Sequence, residues 1–263
     1  MIGMEKNIVF FDIDGTIWDH RNYIPPSAAE AIQRLRANGH LAFLCSGRTR
    51  GFIRHPDLLA LGFDGIVSGC GTMLEYGGET LFYHRVDPAL ALKAVTTARR
   101  HGFRLILEGV DYLYLDRDEF DGDLYGEKLV RDMGPWLRSI RDCWGRWEFS
   151  KFSCDTAGCD QAACFAELPE FHPIVHNAKV VEMVPKGFDK ASGILRICEL
   201  LGRDVANAVA FGDGINDLGM FSVCGTSVCM GNGVDEAKRA ADLVAPPMLE
   251  DGLLRACQTL GLI

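Results

Sequence analysis

Four short segments of this chain concentrate residues that can bind charge. One is DIDGT at 12–16, in which two aspartates stand two positions apart directly after an apolar run. The others are SGR at 46–48, a lysine at 190, and GDGIND at 212–217. Their polar and glycine residues include Asp12, Asp14, Ser46, Gly47, Arg48, Lys190, Asp213, Asn216 and Asp217. Carboxylates dominate this set, so its chemistry has to include something that neutralises them.

A hard cation bound by oxygen ligands would supply that neutralisation. Mg²⁺ is the cation commonly shared between protein carboxylates and a phosphate group. The remaining groups suit phosphate, because Ser46 offers a hydroxyl and the glycine-flanked turns offer unhindered backbone N–H groups. Lys190 adds a positive charge near a predicted helix N-terminus, where the helix dipole also favours anions. The sequence therefore indicates Mg²⁺ together with a phosphorylated ligand.

The elements that carry these segments alternate between strand and helix. Short apolar runs predict buried strands at 8–11, 41–44, 65–67, 206–211 and 227–230. A helix is predicted after the first strand, where Ser27 and Glu30 have the spacing of a capping box. Such alternation predicts parallel βαβ units and an α/β fold. Because strand carboxyl ends line the ligand crevice of such sheets, we expect the strand-end clusters to converge.

The middle of the chain has a different pattern. It contains a predicted helix at 87–101 and strand-like pieces at 103–107, 112–115, 151–155 and 180–184. We interpret residues 83–183 as an α+β insertion, with residues 1–82 and 184–263 forming one discontinuous α/β domain. Within the insertion, the acidic run at 116–123 is predicted to be a solvated loop, because it breaks the calcium-loop pattern.

Composition narrows the classes of partner. Lys plus Arg number 27 against 36 Asp plus Glu, so the net charge of −9 disfavours nucleic acid and anionic membranes. No apolar run reaches the roughly 18 residues that a membrane-spanning helix needs. The charged N-terminal residues do not resemble a secretory signal, and the ten irregularly spaced cysteines suit reduced thiols. We expect a cytoplasmic protein with a small-molecule partner; the sequence leaves its oligomeric state open.

The order DIDGT, SGR, lysine before a helix, and GDGIND resembles the haloacid dehalogenase superfamily of aspartate-nucleophile phosphatases. The position of the insertion, between SGR and the lysine, is similar to the Cof-type subfamily with a C2 cap. The resemblance implies a Rossmann-like parallel-sheet core with an inserted α+β C2-type cap. The core motifs lie in residues 1–82 and 184–263, and the cap is matched only by position and general content.

The resemblance also implies a role for each motif residue. Asp12 matches the nucleophile that forms an aspartyl-phosphate, and Asp14 matches the general acid and base. Asp217 would orient Lys190 or contact the metal ligands without binding the metal itself. Arg48 would support its own loop or contact the substrate. Mg²⁺ would be held by Asp12, the backbone carbonyl of Asp14, and Asp213. The phosphoryl oxygens would be held by Ser46, Lys190 and Asn216, with the backbone of Ile13 and Gly47.

These features together predict a Mg²⁺-dependent phosphatase for small phosphorylated metabolites. Sugar phosphates are the favoured class by resemblance, and pyridoxal phosphate and flavin mononucleotide are alternatives. A phosphomutase of the same superfamily is a second hypothesis, since it uses the same aspartyl-phosphate. A non-catalytic sensor of phosphorylated ligands is a third, although pure binding does not need a general acid beside a nucleophile.

Individual residues have simpler interpretations too. The two aspartates of DIDGT could be turn formers, because Asp-Gly is a frequent turn pair. Ser46 could cap a helix, and Lys186 competes with Lys190 for the phosphate-binding role. The stretch at 68–71 lacks the asparagine that the family often has after its third strand. The cysteines at 45 and 70 are expected near the crevice, where a redox role is a further hypothesis.

Overall fold

The structure is a computed structural model that describes residues 6–263. Two compact units are present, and the described residues of the first are 6–47, 54–82 and 189–263. The second comprises residues 48–53 and 83–188. Each unit has its own sheet and its own buried core.

The elements follow one another along the chain in three stretches. The first stretch contains β1 (Ile8–Phe11), α1 (Pro26–Ala37), β2 (Leu41–Cys45), α2 (Pro56–Leu59), β3 (Gly65–Ser68), β4 (Met73–Tyr76) and β5 (Glu79–Tyr83). The second contains α3 (Pro88–Arg100), β6 (Arg104–Glu108), β7 (Leu113–Tyr114), α4 (Leu124–Met133), β8 (Leu137–Arg138), β9 (Lys151–Asp155), α5 (Gln161–Glu167), β10 (Phe171–Val175) and β11 (Val180–Pro185). The third contains α6 (Lys190–Leu200), β12 (Ala208–Gly212), α7 (Leu218–Val223), β13 (Thr226–Cys229), α8 (Asp235–Ala240), β14 (Leu243–Val244) and α9 (Gly252–Thr259).

The first unit is built on an eight-stranded sheet with the order β14-β13-β12-β1-β2-β3-β4-β5. The strands from β14 to β3 run parallel, and β4 returns antiparallel to β3. β1 lies between β12 and β2, and its four residues are buried, as its unbroken apolar run predicts. Phe10 packs against Phe43, while Phe11 stacks on Phe211 with ring centroids 5.1 Å apart. The predicted α/β fold is confirmed in this unit.

The second unit is α+β, with a six-stranded sheet of order β10-β11-β9-β6-β7-β8. Its strands are antiparallel except for the short β7–β8 pair. One face of the sheet packs with α3 and α5 in a core that includes Leu105, Phe152 and Val181. Part of the other face, including Ile106 and Leu113, packs with α4 in a smaller core.

Several predicted boundaries need correction. The expected division at 183/184 cuts through β11, which pairs with β9 and β10 and so remains in the second unit to Phe188. Residues 48–53 also group with the second unit, although they were assigned to the first. The strand expected at 206–211 begins at Ala208, because Val205–Asn207 forms a 3₁₀ turn capped by Asp204.

Two local predictions were wrong. Helix α1 begins at Pro26 after Pro25, without a side-chain cap, so Ser27 lies inside the helix and forms no capping box. Proline is tolerated there because the first helical N–H has no intrahelical partner. The acidic run at 116–123 is not a solvated loop throughout: Asp116 is buried and accepts hydrogen bonds from the Ser139 hydroxyl at 2.7 Å and the Arg141 N–H at 3.2 Å.

Candidate active site

The strand ends of β1 and β12 place two predicted aspartates side by side. Phe11 is in register with Phe211, and the Asp12 N–H donates to the Phe211 carbonyl at 2.9 Å. Asp12 therefore leaves the sheet next to the turn that carries Asp213. One carboxylate oxygen from each of Asp12, Asp213 and Asp217 lies within 4.8 Å of the others. The adjacency of parallel strands accounts for this convergence of residues about 200 positions apart.

Lys190 lies at the first position of α6, where a capping box fixes the start of the helix. The Asp189 side chain accepts from the Ser192 N–H at 2.6 Å, and the Ser192 hydroxyl accepts from the Asp189 N–H at 2.9 Å. The Lys190 ammonium then reaches Asp12 Oδ1 and Asp217 Oδ1, each at 2.6 Å. Lys186 is exposed in the second unit, so Lys190 is the lysine that contacts the predicted nucleophile.

Asp217 joins the lysine to the loop at 213–217. Its Oδ1 accepts from Lys190, and its Oδ2 accepts from the N–H groups of Asp213 and Gly214, each at 2.8 Å. The side chain is fully buried. A carboxylate that receives these three donors is held in one orientation, and it holds the ammonium and the loop in turn. This geometry agrees with the lysine-orienting alternative for Asp217.

The cluster contains three carboxyl groups and one ammonium group. Burial raises the pKa of Asp12 well above its ordinary value, against the attraction of Lys190. Burial also raises the pKa of Asp213 to about 7, with smaller contributions from Asp217 and Asp14. Burial lowers the pKa of Lys190, but Asp12 and Asp217 outweigh it and hold that pKa well above its ordinary value. Lys190 is therefore charged, and its single charge cannot balance the ionised form of all three buried or half-buried carboxyl groups.

A divalent cation fits this set of donors. The carboxylates of Asp12 and Asp213 are hard oxygen ligands of the kind that Mg²⁺ prefers. Both oxygens of Asp217 already receive hydrogen bonds, so this side chain suits a supporting position better than a direct ligand position. The Asp14 carboxylate lies outside the three-residue cluster. Its expected contribution to the metal is through its backbone carbonyl.

Asp14 is held by a tryptophan that the sequence analysis did not single out. The Trp18 indole N–H donates to Asp14 Oδ1 at 2.9 Å, and Trp18 itself is buried. Asp14 is exposed, unlike Asp12. The loop is also held by Asn232, whose side-chain N–H donates to the Gly15 carbonyl at 2.7 Å. These contacts orient an accessible carboxyl group beside a buried one.

The other predicted phosphate-binding residues follow the carboxyl ends of β1, β2 and β12, which are neighbours in the sheet. Ile13, Ser46 and Gly47 are buried in the first unit, and the Ser46 N–H donates to the Val67 carbonyl at 2.9 Å. Asn216 lies half-buried in the 3₁₀ turn Ile215–Asp217. Arg48 groups with the second unit, where its guanidinium lies 5.8 Å from the centre of the Phe52 ring.

The surroundings of Cys45 do not support a redox role for its thiol. Cys45 is fully buried, and burial raises the pKa of its thiol well above the ordinary value, against the lowering effect of Lys190. The thiolate is the reactive form of cysteine, so a high pKa together with burial disfavours oxidation. Cys70 is also buried.

Gly15 allows the DIDGT turn to approach Asp213 closely. Its φ is +75°, and a Cβ there would lie 2.0 Å from Asp213 Oδ2. We expect Gly15→Ala to displace the Asp213 carboxylate. With Asp213 as a metal ligand, as the sequence predicts, kcat/KM should fall by about 10–100-fold. The measurement is phosphate release at saturating and limiting Mg²⁺.

Gly77 provides a matched control for this substitution. Its φ is +60°, but a Cβ there would meet nothing within 4 Å. Gly77→Ala therefore introduces similar backbone strain without a steric clash. If both variants lost activity equally, the close approach of Gly15 to Asp213 would have no catalytic significance.

Comparison with known proteins decides the family. The profile of haloacid dehalogenase-like hydrolases matches residues 9–256. This chain belongs to that family. YkrA of Bacillus subtilis is 30% identical and is aligned over 99% of this chain and 100% of its own length. The pyridoxal phosphate phosphatase YbhA of Escherichia coli is 25% identical, over 92% of this chain and 93% of its own.

Solved structures agree with this assignment. A hypothetical protein from Geobacillus kaustophilus has a TM-score of 0.84 at 27% identity, covering 98% of this chain and 100% of the other. The haloacid dehalogenase subclass IIB sugar phosphatase BT4131 has a TM-score of 0.83 at 24% identity, with coverage of 98% and 100%. The predicted superfamily, its Cof-type branch and the fold class are confirmed, and the matches support a phosphatase. Among the described residues, no helix has the length and apolar character needed to cross a membrane.

Proposed function

We propose that this haloacid dehalogenase-type phosphatase hydrolyses phosphomonoesters of small metabolites, requires Mg²⁺, and carries the phosphoryl group on Asp12. The observation that supports this most is the buried contact of Lys190 with Asp12 and Asp217 beside Asp213. A structural ion pair would need one carboxylate, whereas this cluster has an excess of carboxylates at the ligand-binding edge of a parallel sheet. Such an excess suits a site that a cation and a phosphate complete.

The chain's residues divide the reaction between them. Asp12 attacks phosphorus, and the bond from phosphorus to the ester oxygen breaks as Asp14 gives that oxygen a proton. Asp14 then takes a proton from the water that attacks phosphorus, which releases phosphate and restores Asp12. Lys190, Ser46 and Asn216 hold phosphoryl oxygens, with the backbone of Ile13 and Gly47. When bound, Mg²⁺ would neutralise charge on the phosphoryl group.

The metal ligands in this proposal are Asp12, Asp213 and the backbone carbonyl of Asp14. The second unit, residues 48–53 and 83–188, would form the cap that selects the leaving group, and Arg48 would support the loop at 46–48. All ten cysteines are free, which supports a location in the reducing cytoplasm. We propose no nucleic-acid or membrane partner, because the net charge of −9 repels both kinds of polyanion.

The substrate class follows from relatives as well as from the site. YbhA is named for pyridoxal phosphate, and YitU of Bacillus subtilis, 24% identical over 94% of this chain, is named for a ribitylaminouracil phosphate. Both names describe small phosphorylated metabolites that contain a ring. We extend that class to this chain, with sugar phosphates, pyridoxal phosphate and flavin mononucleotide as the first candidates.

Metal dependence is the first expected result for this function. Phosphate release from a panel of sugar phosphates, pyridoxal phosphate and flavin mononucleotide should require Mg²⁺ and should stop with EDTA. Mg²⁺ should also raise the Tm of the wild type, because it relieves repulsion between carboxylates, and should raise it less for Asp213→Asn. Turnover that persists in EDTA would contradict the role of the carboxylate cluster.

Asp14 should act on the leaving group. Asp14→Asn is expected to lower kcat by about 10²–10⁴-fold for alkyl phosphates, the usual contribution of general acid–base catalysis. The loss in the phosphorylation step should be smaller for p-nitrophenyl phosphate, because its leaving phenolate needs little protonation. The rate of the phosphorylation step is measured as the rate of the p-nitrophenol burst under pre-steady-state conditions. Equal losses for both esters would remove Asp14 from the acid role.

The phosphomutase alternative predicts a different outcome on the same panel. A mutase passes the phosphoryl group to a second hydroxyl, so it would show isomerisation that a bisphosphate activates, with little release of phosphate. A non-catalytic sensor would show binding with neither reaction.

A further inference from the structure

Trp18 closes the loop that carries the two aspartates of DIDGT. The Gly15 N–H donates to the Trp18 carbonyl at 2.9 Å, and the Trp18 N–H donates to the Ile13 carbonyl at 3.2 Å. Asp14 and Trp18 are also paired by an isolated β-bridge. All of these residues belong to the first unit. The backbone of the loop therefore holds Trp18 next to Asp14.

The indole ring of Trp18 is held in place by packing as well. Trp18 is only 3% exposed, and its ring meets the His55 ring edge-on, with centroids 5.4 Å apart and an interplanar angle of 85°. His55 directly precedes α2 and also belongs to the first unit. Edge-to-face contact is a favoured arrangement of two rings, so it stabilises this ring orientation. From this position the indole N–H donates to Asp14 Oδ1 at 2.9 Å.

Asp14 depends on such support more than Asp12 does. Asp12 is buried and accepts from the Lys190 ammonium at 2.6 Å, whereas Asp14 is exposed. With Oδ1 of Asp14 held by the indole, the second oxygen of the same carboxyl group has a defined position too. A general acid has to lie within about 2.6–3.2 Å of the oxygen that it protonates. The orientation of this carboxyl group therefore bears directly on proton transfer.

The indole of Trp18 can orient Asp14 but cannot exchange a proton with it. An indole nitrogen only donates a hydrogen bond, because it has no acceptor lone pair. Trp147 shows the ordinary way to satisfy a buried indole: it is 4% exposed and donates to the Ile140 carbonyl at 2.9 Å. Trp18 donates instead to the side chain of the proposed acid and base. Its hydrogen bond therefore does more than satisfy a buried N–H group.

We propose that Trp18 is a positioning residue for both proton transfers of Asp14. In the first, the proton of Asp14 goes to the ester oxygen as the bond from that oxygen to phosphorus breaks. In the second, a proton goes from the attacking water to Asp14. The indole can donate to Oδ1 in both steps, because the proton is carried by the other oxygen. This inference rests on the proposed function, since it requires Asp14 to be the acid and base.

The contact between Trp18 and Asp14 can be measured in solution without any hydrolysis. NMR spectra are recorded on the full-length protein with ¹⁵N-labelled tryptophan. The chain has four tryptophans, and the indole signal of Trp18 is the one that disappears in Trp18→Phe. In Asp14→Asn this signal should shift, because an amide replaces the carboxyl acceptor, while the other three signals stay in place. A Trp18 signal that does not shift in Asp14→Asn would overturn the proposal.

Trp18→Phe keeps an aromatic ring but removes the N–H donor. We expect it to slow alcohol release from an alkyl phosphate in a single turnover by about 10–100-fold, because a misplacement of about 1 Å can cost about 10²-fold. The p-nitrophenol burst from p-nitrophenyl phosphate should slow much less, since that leaving group needs little protonation. A purely structural role would slow both esters by the same factor, and that result would overturn the proposal.

Trp147→Phe is the matched control for this substitution. It removes an indole N–H that is comparably buried and a hydrogen bond of the same length, 2.9 Å. The two variants should lower Tm by similar amounts, but Trp147→Phe should keep the wild-type ratio of the two release rates. If Trp147→Phe changed that ratio as much as Trp18→Phe does, the effect would not be specific to Asp14 and the proposal would be overturned.

A double variant shows whether Trp18 acts through Asp14. Asp14→Asn lacks the group that Trp18 orients, so adding Trp18→Phe should change the rate of alcohol release by no more than about twofold. A further loss as large as that in the wild-type background would overturn the positioning role. If the wild type hydrolyses no ester, the proposed function fails and the positioning role falls with it. If the wild type hydrolyses the panel and Trp18→Phe keeps the wild-type ratio of rates, the positioning role alone is overturned.

Discussion

Replacement of Asp12 by asparagine is expected to reduce kcat for phosphate release by at least about 10⁴-fold, as losses of catalytic nucleophiles do. Asparagine keeps the shape of the side chain but is a far weaker nucleophile than a carboxylate. Lys190 retains its contact with Asp217 at 2.6 Å, so the fold should survive the change. The measurement is single-turnover phosphate release with enzyme in excess over substrate.

The control for Asp12→Asn is a carboxylate outside the cluster. Asp19 precedes a turn in the same loop, where its side chain accepts from the N–H groups of Arg21 and Tyr23. Asp19→Asn should retain most of the activity, because asparagine can accept the same bonds. Comparable losses in the two variants would point to disruption of the loop, and near-normal turnover in Asp12→Asn would rule out the assigned nucleophile.

Replacement of Lys190 by methionine is expected to cost about 3–5 kcal/mol of unfolding free energy in the absence of metal, the usual result of breaking a buried ion pair. Lys190 is only 2% exposed, and its removal leaves the carboxylates of Asp12 and Asp217 without their cation. The measurement is urea denaturation in EDTA. Activity should be lost as well, because the phosphoryl oxygens lose a positive partner.

Two further variants show whether charge or packing causes that loss. Lys186→Met changes an exposed lysine, so its effect should stay within about 0.5 kcal/mol. Adding Asp217→Asn to Lys190→Met should recover part of the lost stability, because one uncompensated buried carboxylate is removed. A Lys190→Met protein as stable as Lys186→Met would mean that the buried cluster does not depend on its cation.

Prediction from sequence succeeded where short-range pattern determines structure. The apolar run at 8–11 became β1 with those bounds, and the helix expected at 87–101 is α3, capped by the Asp87 side chain. The convergence of DIDGT with GDGIND followed from the rule that parallel strand ends meet at one edge. Lys190 could be placed at the start of a helix because a polar capping residue precedes an apolar stripe there.

The remaining features depend on contacts that spacing does not encode. The Trp18 bond to Asp14 and the Asn232 bond to the Gly15 carbonyl require side chains to meet in space, the second across 217 positions. The false capping box at Ser27 shows that a preceding proline can start a helix in place of a side-chain cap. The strands β4 and β5 were missed because only two residues of β4 and none of β5 are buried, so neither strand has a long buried apolar run.

The most direct test of the central claim is to detect the phosphoryl group on Asp12. Enzyme mixed with substrate and Mg²⁺ is quenched in acid during turnover, digested, and analysed by tandem mass spectrometry. We predict one added phosphoryl group on the peptide that contains DIDGT, located at Asp12 and absent from Asp12→Asn. The proposed mechanism would be contradicted if the substrate is hydrolysed but the quenched enzyme carries no phosphoryl group, or carries it on another residue.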